Sequence, residues 1–134
     1  AQLWMPIKPM AAIPARAIDE VLNKTCILEG EGSNDRWVAD WKYDGERLQI
    51  HAGGGSVKLY SRNLRDVTQR FPQVAEMLKG VSKSVIIDAE VIAVDKNHRI
   101  LPFQVLSRRP RIANDASPSS DIGILAFDCL FFGW

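Results

Sequence analysis

The sequence predicts an α+β domain: a largely antiparallel sheet with short helices. Three observations carry that prediction. Several stretches alternate with a period of two, namely 36–42, 46–52, 57–62 and 84–94, and an apolar run spans 122–132. Helical spacing appears only in short pieces between them, which favours an antiparallel layout over a doubly wound one. The length of 134 residues is one domain's worth. A chain of that size buries about two-thirds of its unfolded surface around one core.

The elements follow in chain order. Residues 1–14 hold Pro6, Pro9 and Pro14, too many for a helix interior. They read as an extended lead-in, with Trp4, Met5, Met10 and Ile13 available to pack. Ile18, Val21 and Leu22 stand at i, i+3 and i+4 behind Asp19 and Glu20, predicting a helix with acids near its start. Glu29 to Asp35 is a loop by its glycines, serine and asparagine. The strand Arg36–Lys42 puts Val38, Asp40 and Lys42 on one face and Trp37, Ala39 and Trp41, read as core, on the other.

Its expected partner, Glu46–Ala52, runs into Gly53-Gly54-Gly55. With no Lys-Ser/Thr to close a phosphate loop, the glycines read as a hairpin turn into the strand Val57–Arg62. Pro72 suits the first turn of a helix carrying Val74, Met77 and Leu78 and ended by Gly80. Ser84–Val94 is the strongest strand, with Ile86, Asp88, Glu90 and Ile92 on one face and Ile87, Ala89, Val91 and Ala93 on the other. Asp95–Arg99 turns the chain, a short helix begins near Pro102, Asn114–Asp121 is a loop, and Ile122–Phe132 is a final buried strand.

Composition narrows the function classes. The chain is 46% hydrophobic and 25% charged with a net charge of +1, a balance that by itself points to neither nucleic acid nor membrane. Two arginine clusters (Arg62, Arg65, Arg70 and Arg108, Arg109, Arg111) read either as solvated faces or as contacts to DNA phosphates. Cys26 and Cys129 have neither zinc-ligand spacing nor a disulfide framework. No apolar run reaches the roughly 18 residues of a membrane span, so the expectation is an intracellular, reduced protein with no membrane partner. His51, beside the glycine turn, and His98, in a turn, read as surface residues. The chain starts at Ala1 and stops just after an apolar strand, which suggests an excerpt from a longer protein.

The chemistry concentrates at Lys42-Tyr43-Asp44-Gly45-Glu46-Arg47. A fixed K-x-D-G-x-R arises by chance on the order of once per 10⁵ positions. A lysine, an acid, a glycine permitting a tight turn and an arginine make a small charged pocket. Asp88 and Glu90 on one face of an apolar strand are costly unless paired with an arginine or bound to a metal. Together with Arg62 these residues suit a triphosphate with Mg²⁺. A lysine amine attacks phosphorus only when unprotonated, which partial burial and neighbouring cations favour.

The sequence resembles the adenylation domain of ATP-dependent DNA ligases, in the covalent nucleotidyltransferase superfamily, most closely the eukaryotic replicative type. The resemblance runs through Lys8-Pro9-Met10-Ala11, the Lys42–Arg47 block, Tyr60-Ser61-Arg62-Asn63, Asp88-Ala89-Glu90, Pro102-Phe103-Gln104-Val105-Leu106 and Ala126-Phe127-Asp128, in the family's order. It implies that residues 1–134 are the incomplete, N-terminal part of that domain, residues 1–14 being the lead-in. Lys42 would take AMP from ATP as a phosphoramidate. Asp44 would help align Mg²⁺ and the later joining step. Arg47 and Glu90 would hold the ribose hydroxyls, with Glu90 also near the metal. Arg62 would contact ribose or phosphate, Phe127 would stack on adenine, and Asp40 would sit near the adenine amino group.

The resemblance further implies that AMP passes to the 5′-phosphate of nicked double-stranded DNA before the 3′-hydroxyl seals it, in replication, repair and recombination, with a nuclear location in a eukaryote. Partner domains would be an oligonucleotide-binding fold and a DNA-binding domain. A Glu-Gly metal motif and a Lys-x-Lys motif of the family are not found in this stretch, so the piece alone is expected to be inactive or nearly so. Two other readings stand beside it: an RNA ligase or mRNA-capping guanylyltransferase, and a non-catalytic domain that keeps the fold.

Overall fold

A computed structural model describes residues 1–21, 40–109 and 121–133. The chain divides into two compact units, Ala1–Pro9 with Tyr43–Trp134, and Met10–Lys42. The first holds a four-stranded, wholly antiparallel sheet formed by β1 (Glu46–Gly53), β2 (Ser56–Ser61), β3 (Val85–Val94) and β4 (Asp121–Phe132), in the order β2-β1-β3-β4. A 3₁₀ turn (Thr68–Arg70) and helix α1 (Pro72–Leu78) separate β2 from β3, and helix α2 (Phe103–Ser107) separates β3 from β4. In the second unit residues 18–21 are helical, where the apolar spacing predicts a helix.

Alternation decides which face is core. Leu48 and Ile50 of β1, Leu59 of β2, and Ala89, Val91 and Ala93 of β3 are buried together with Phe71, Val74 of α1 and Leu106 of α2. Burying a side chain of that kind is worth about 1.5–3 kcal/mol, so this face stabilises the sheet. Pro72 occupies the first turn of α1, where a missing N–H costs nothing. The hairpin is a two-residue turn: Gly53 pairs with Ser56, while Gly54 and Gly55 have φ of 57° and 75°. Both central residues therefore lie in the left-handed region that a primed turn requires.

Four expectations need correction. The strand expected at Arg36–Lys42 falls mostly outside the described residues, and the described part, 40–42, is not strand. There the Asp40 carboxylate accepts the Trp41 N–H at 2.7 Å, a local bond that competes with a ladder. Trp41 is 81% exposed rather than core; Trp37 lies outside the described residues. The final strand, β4, is exposed from Ala126 to Cys129, because it is a sheet edge. His51 is fully buried. Its place in β1 puts it on a sheet face that residues 1–9 cover.

Candidate nucleotide site

The second face of the sheet carries the chemistry. Residues of β1 that alternate with the core set are Arg47, Gln49 and His51, and the register places Arg47 opposite Glu90 and Gln49 opposite Asp88. The Arg47 guanidinium forks onto Asp88: Nε donates to Oδ1 at 2.9 Å and Nη2 donates to Oδ2. Asp88 is 3% exposed. A buried carboxylate needs such a partner, and the planar two-bond fork also fixes the orientation of the arginine. The bond to Asp88 holds the Arg47 pKa above its ordinary value; the charges of Asp88, Glu90 and Asp128 act in the same direction, against partial burial.

Edge strand β4 completes this face through an irregularity. Asp128 pairs with Asp88 but Ala126 pairs with Ala89, so Phe127 is an extra residue in the ladder. Such a bulge re-aims side chains and is common beside functional sites. Here the Phe127 ring, 51% exposed, takes the Arg47 guanidinium carbon at 5.4 Å from its centroid. Arg62, just past the end of β2, lines a narrow crevice of about 10 Å³, room for a single water at most, together with Arg47, Asp88, Gln49, Ser61, Ile7 and Pro9.

Gly45 matters for space rather than for its turn. A Cβ there would meet the Val91 carbonyl oxygen at 2.3 Å and the Glu90 Cγ at 2.8 Å. Gly45 is not among the glycines with positive φ. The backbone at Gly45 therefore enters β1 pressed onto β3, directly against Glu90. Its next residue, Glu46, is on the core-side alternation and is held by Arg70, whose Nη1 reaches the two carboxylate oxygens at 2.8 and 2.7 Å. Arg70 is thus a structural ion-pair member and not part of a solvated arginine face.

The predicted residues are accounted for as follows. The structure brings Arg47, Glu90 and Phe127 onto one face, with Arg62 at the neighbouring crevice. Asp44 is exposed just ahead of Gly45. Asp40 and Lys42 belong to the other unit, where both are exposed. Arg109 is partly buried near Arg70 and Asp121, and burial lowers its pKa; Arg111 lies outside the described residues. Sequence reasoning assigned no role to Asp128, Gln49 or His51. Counting by twos from Arg47 finds the last two, whereas Asp128 joins the face only because of the bulge.

Among the described residues no group of three or more His, Cys, Asp or Glu is gathered to hold a metal, and no helix is long and apolar enough to cross a membrane.

The sheet, its polar face and the glycine-tight entry to β1 define a nucleotidyltransferase-like domain. The fold is similar to that of the ligase domain of LigD from M. tuberculosis, with a TM-score of 0.57 and 28% identity over 70% of this chain and 29% of that one. A mycobacterial DNA ligase D complexed with ATP and MES gives the same values. Residues 9–133 match the family model described as the ATP dependent DNA ligase domain. DNA ligase 1 of Saccharomyces cerevisiae is 38% identical over 96% of the chain, and the DNA ligase of Aeropyrum pernix is 42% identical over 82%. The chain belongs to the ATP-dependent DNA ligase family. It spans 17% of the length of each of those two relatives.

Proposed function

We propose that this chain is the nucleotide-accepting part of an enzyme that seals nicks in double-stranded DNA, and that Lys42 carries AMP between the two half-reactions. The observation that supports this most is the cluster of Arg47, Asp88, Glu90 and Phe127 on one face of the sheet that begins four residues after Lys42. It offers an adenosine monophosphate an aromatic face, a fixed cation and, in Glu90, a carboxylate for the ribose hydroxyls.

In the first half-reaction the Lys42 Nζ attacks the α-phosphorus of ATP. The N–P bond forms, the bond to the β-phosphate oxygen breaks, pyrophosphate leaves, and the amine proton passes to solvent. Phe127 stacks on adenine, Glu90 and Arg47 hold ribose, and Arg62 contacts ribose or the transferring phosphate. Asp40 lies near the adenine amino group. Asp88 acts through Arg47 by fixing its orientation. An oxygen of the DNA 5′-phosphate then attacks the same phosphorus and frees the lysine, and the 3′-hydroxyl displaces AMP. The protein's contribution to each in-line step is position and charge stabilisation.

The donor chemistry suits Mg²⁺, which is commonly bound by one or two carboxylates plus substrate phosphates and not by an all-protein cage. Asp88 forks with Arg47; Glu90 and Asp44 are the residues that would hold the ion. When bound, Mg²⁺ offsets charge on the phosphate oxygens and eases departure of pyrophosphate. An oligonucleotide-binding fold and a DNA-binding domain of the same polypeptide are the partners expected to close over the nick, in nuclear replication, repair and recombination.

The test is labelling. The full-length protein, incubated with ATP carrying label on the α-phosphate and with Mg²⁺, should form an acid-labile, base-stable adduct that nicked DNA discharges. Lys42→Ala should form none. A labelled Lys42→Ala variant, or an unlabelled wild type, would overturn the assignment.

A further inference from the structure

The first nine residues are tied to the sheet by hydrogen bonds. The Trp4 N–H donates to His51 Nδ1 at 2.9 Å, and the Tyr60 hydroxyl donates to the Trp4 carbonyl at 3.2 Å. The Ile7 N–H donates to Gln49 Oε1 at 2.8 Å, and Gln49 Nε2 donates back to the Ile7 carbonyl at 3.0 Å. His51 Nε2 stands 3.0 Å from the same Gln49 oxygen. Because Nδ1 accepts from a backbone N–H, the proton of the neutral ring is on Nε2, which donates to Gln49. Two side chains that alternation places on the sheet face therefore read the backbone of a segment more than 40 residues away.

Two further features show that this docking is specified. Trp4 has φ of 69°, a conformation that costs a non-glycine residue energy and persists only where its surroundings over-determine it. Both backbone polar groups of Trp4 are held, and its ring stacks on His51. Leu3 packs over the hairpin at Gly53, where a Cβ would stand 3.0 Å from Leu3 Cδ1. Downstream of this anchorage, Ile7 and Pro9 line the narrow crevice against Arg47, Arg62 and Asp88. Residues 1–8 precede the stretch matched by the family model.

We propose that Gln49 and His51 are positioning residues for nucleotide binding, clasping residues 3–9 across the sheet so that Ile7 and Pro9 back the Arg47, Arg62 and Asp88 side chains and hold them in place for the nucleotide. This rests on the nucleotide reading of that site. The clasp does not touch the reacting atoms; it sets the fraction of molecules in which Arg47 and Arg62 are backed and in place. Apparent nucleotide affinity scales with that fraction, while the maximal rate of the chemical step does not.

The experiment is single-turnover labelling of Lys42 in the full-length protein over a range of ATP concentrations. Gln49→Met removes both bonds to Ile7, and Ile7→Pro removes the N–H from the other side. Each is expected to raise the ATP concentration for half-maximal rate about tenfold, with the maximal rate held within about twofold. The double variant should shift no further than either single one, since both break the same link. His51→Leu should behave like Gln49→Met. His51→Asn, whose amide oxygen can stand where Nδ1 accepts the Trp4 N–H, should recover most of the loss. Should Gln49→Met fail to fold, His51→Leu read against His51→Asn decides the matter, because His51 does not line the crevice. Folded variants with a wild-type ATP requirement would overturn the clasp, as would a fall in maximal rate with that requirement unchanged. A wild type that forms no Lys42 adduct would instead overturn the nucleotide reading and the clasp with it.

Discussion

Replacing Gly45 by alanine tests the most confined point of the lysine motif. The new methyl would stand 2.3 Å from the Val91 carbonyl oxygen, 2.8 Å from Glu90 Cγ and 3.0 Å from Ile92 Cγ2. An ordinary contact begins near 3.4 Å, so about 1 Å of movement is needed. The Val91 carbonyl belongs to a central strand and cannot give that much; the segment entering β1 must lift instead. The first pair of the β1–β3 ladder is Glu46 with Val91, so lifting opens the ladder at the Arg47 end. Overpacking costs about 1–3 kcal/mol, and each ladder bond lost adds about 1 kcal/mol. A loss of about 3 kcal/mol is therefore expected in urea unfolding, with a loss of at least tenfold in Lys42 labelling because Arg47 and Glu90 are displaced together. Gly54→Ala is the control. Nothing lies within 4 Å of its Cβ, and only φ of 57° opposes the change. Its cost is about 1 kcal/mol, with labelling unchanged. Gly45→Ala at wild-type stability and labelling within twofold would refute the steric argument.

Other predictions follow from single contacts. Asp88→Ala leaves the Arg47 guanidinium without its fork. Because the arginine side chain is 34% exposed, the cost is expected near 2 kcal/mol, below the 3–5 kcal/mol typical of a fully buried pair, and ATP affinity should fall as Arg47 loses its orientation; titration of labelling against ATP reads both stability-independent affinity and rate. Phe127→Ala should weaken ATP binding about tenfold or more, whereas Phe127→Tyr should not, since stacking on an aromatic face is worth about 1–3 kcal/mol; equal affinities for the two variants would remove Phe127 from the site. Chelating divalent cations should abolish the adduct, and Mg²⁺ should restore it. Burial lowers the His51 pKa below 6.5, so the unfolded chain binds the extra proton first. Stability should then be steady above about pH 6.5 and fall as pH drops below it. The neighbours facing His51 are Trp4, Gln49 and Tyr60, with Lys58 as its register partner on β2. Urea midpoints at pH 7.5 and 5.5 should differ less in His51→Asn than in wild type.

Alternation made much of this protein legible. Asp88 and Glu90 share a face in the structure as period two requires, and Ile87, Ala89, Val91 and Ala93 share the opposite one. The glycine hairpin and Pro72 were legible because their backbone chemistry is local. What sequence could not supply is what covers a face. His51 looks like a surface residue beside a turn until residues 1–9 are folded over it, and a contact across more than 40 positions leaves no periodic mark. The same limit applies to Gly45. Its neighbours in sequence suggest a turn, whereas the reason for glycine is the Val91 carbonyl on another strand. Asp88 was legible as an acid that needs a partner, and the structure supplies Arg47.

The bulge at Phe127 shows how a strict period is broken to serve a site. In an unbroken strand Phe127 and Asp128 would point to opposite faces, so only one of them would stand beside Arg47. The shift between the Asp88 and Ala89 pairs inserts one extra residue in β4 and lets both reach the arginine, the ring at 5.4 Å and the carboxylate through its charge. A second shift, between the Ile86 and Ile87 pairs, inserts another. Two insertions restore the parity, so Phe131 again pairs with Ile86 on the face that carries Arg47. The reversed parity is thus confined to the stretch between the two shifts, which holds Asp128 and Cys129. Asp128→Asn tests the purpose of that reversal. Removing the charge should leave the fold intact, since Asp128 is exposed. It should change the ATP dependence of labelling with the Arg47 environment, while Asp121→Asn, at the far end of the same strand, should not. Equal effects from the two would mean that the bulge serves only the geometry of the edge.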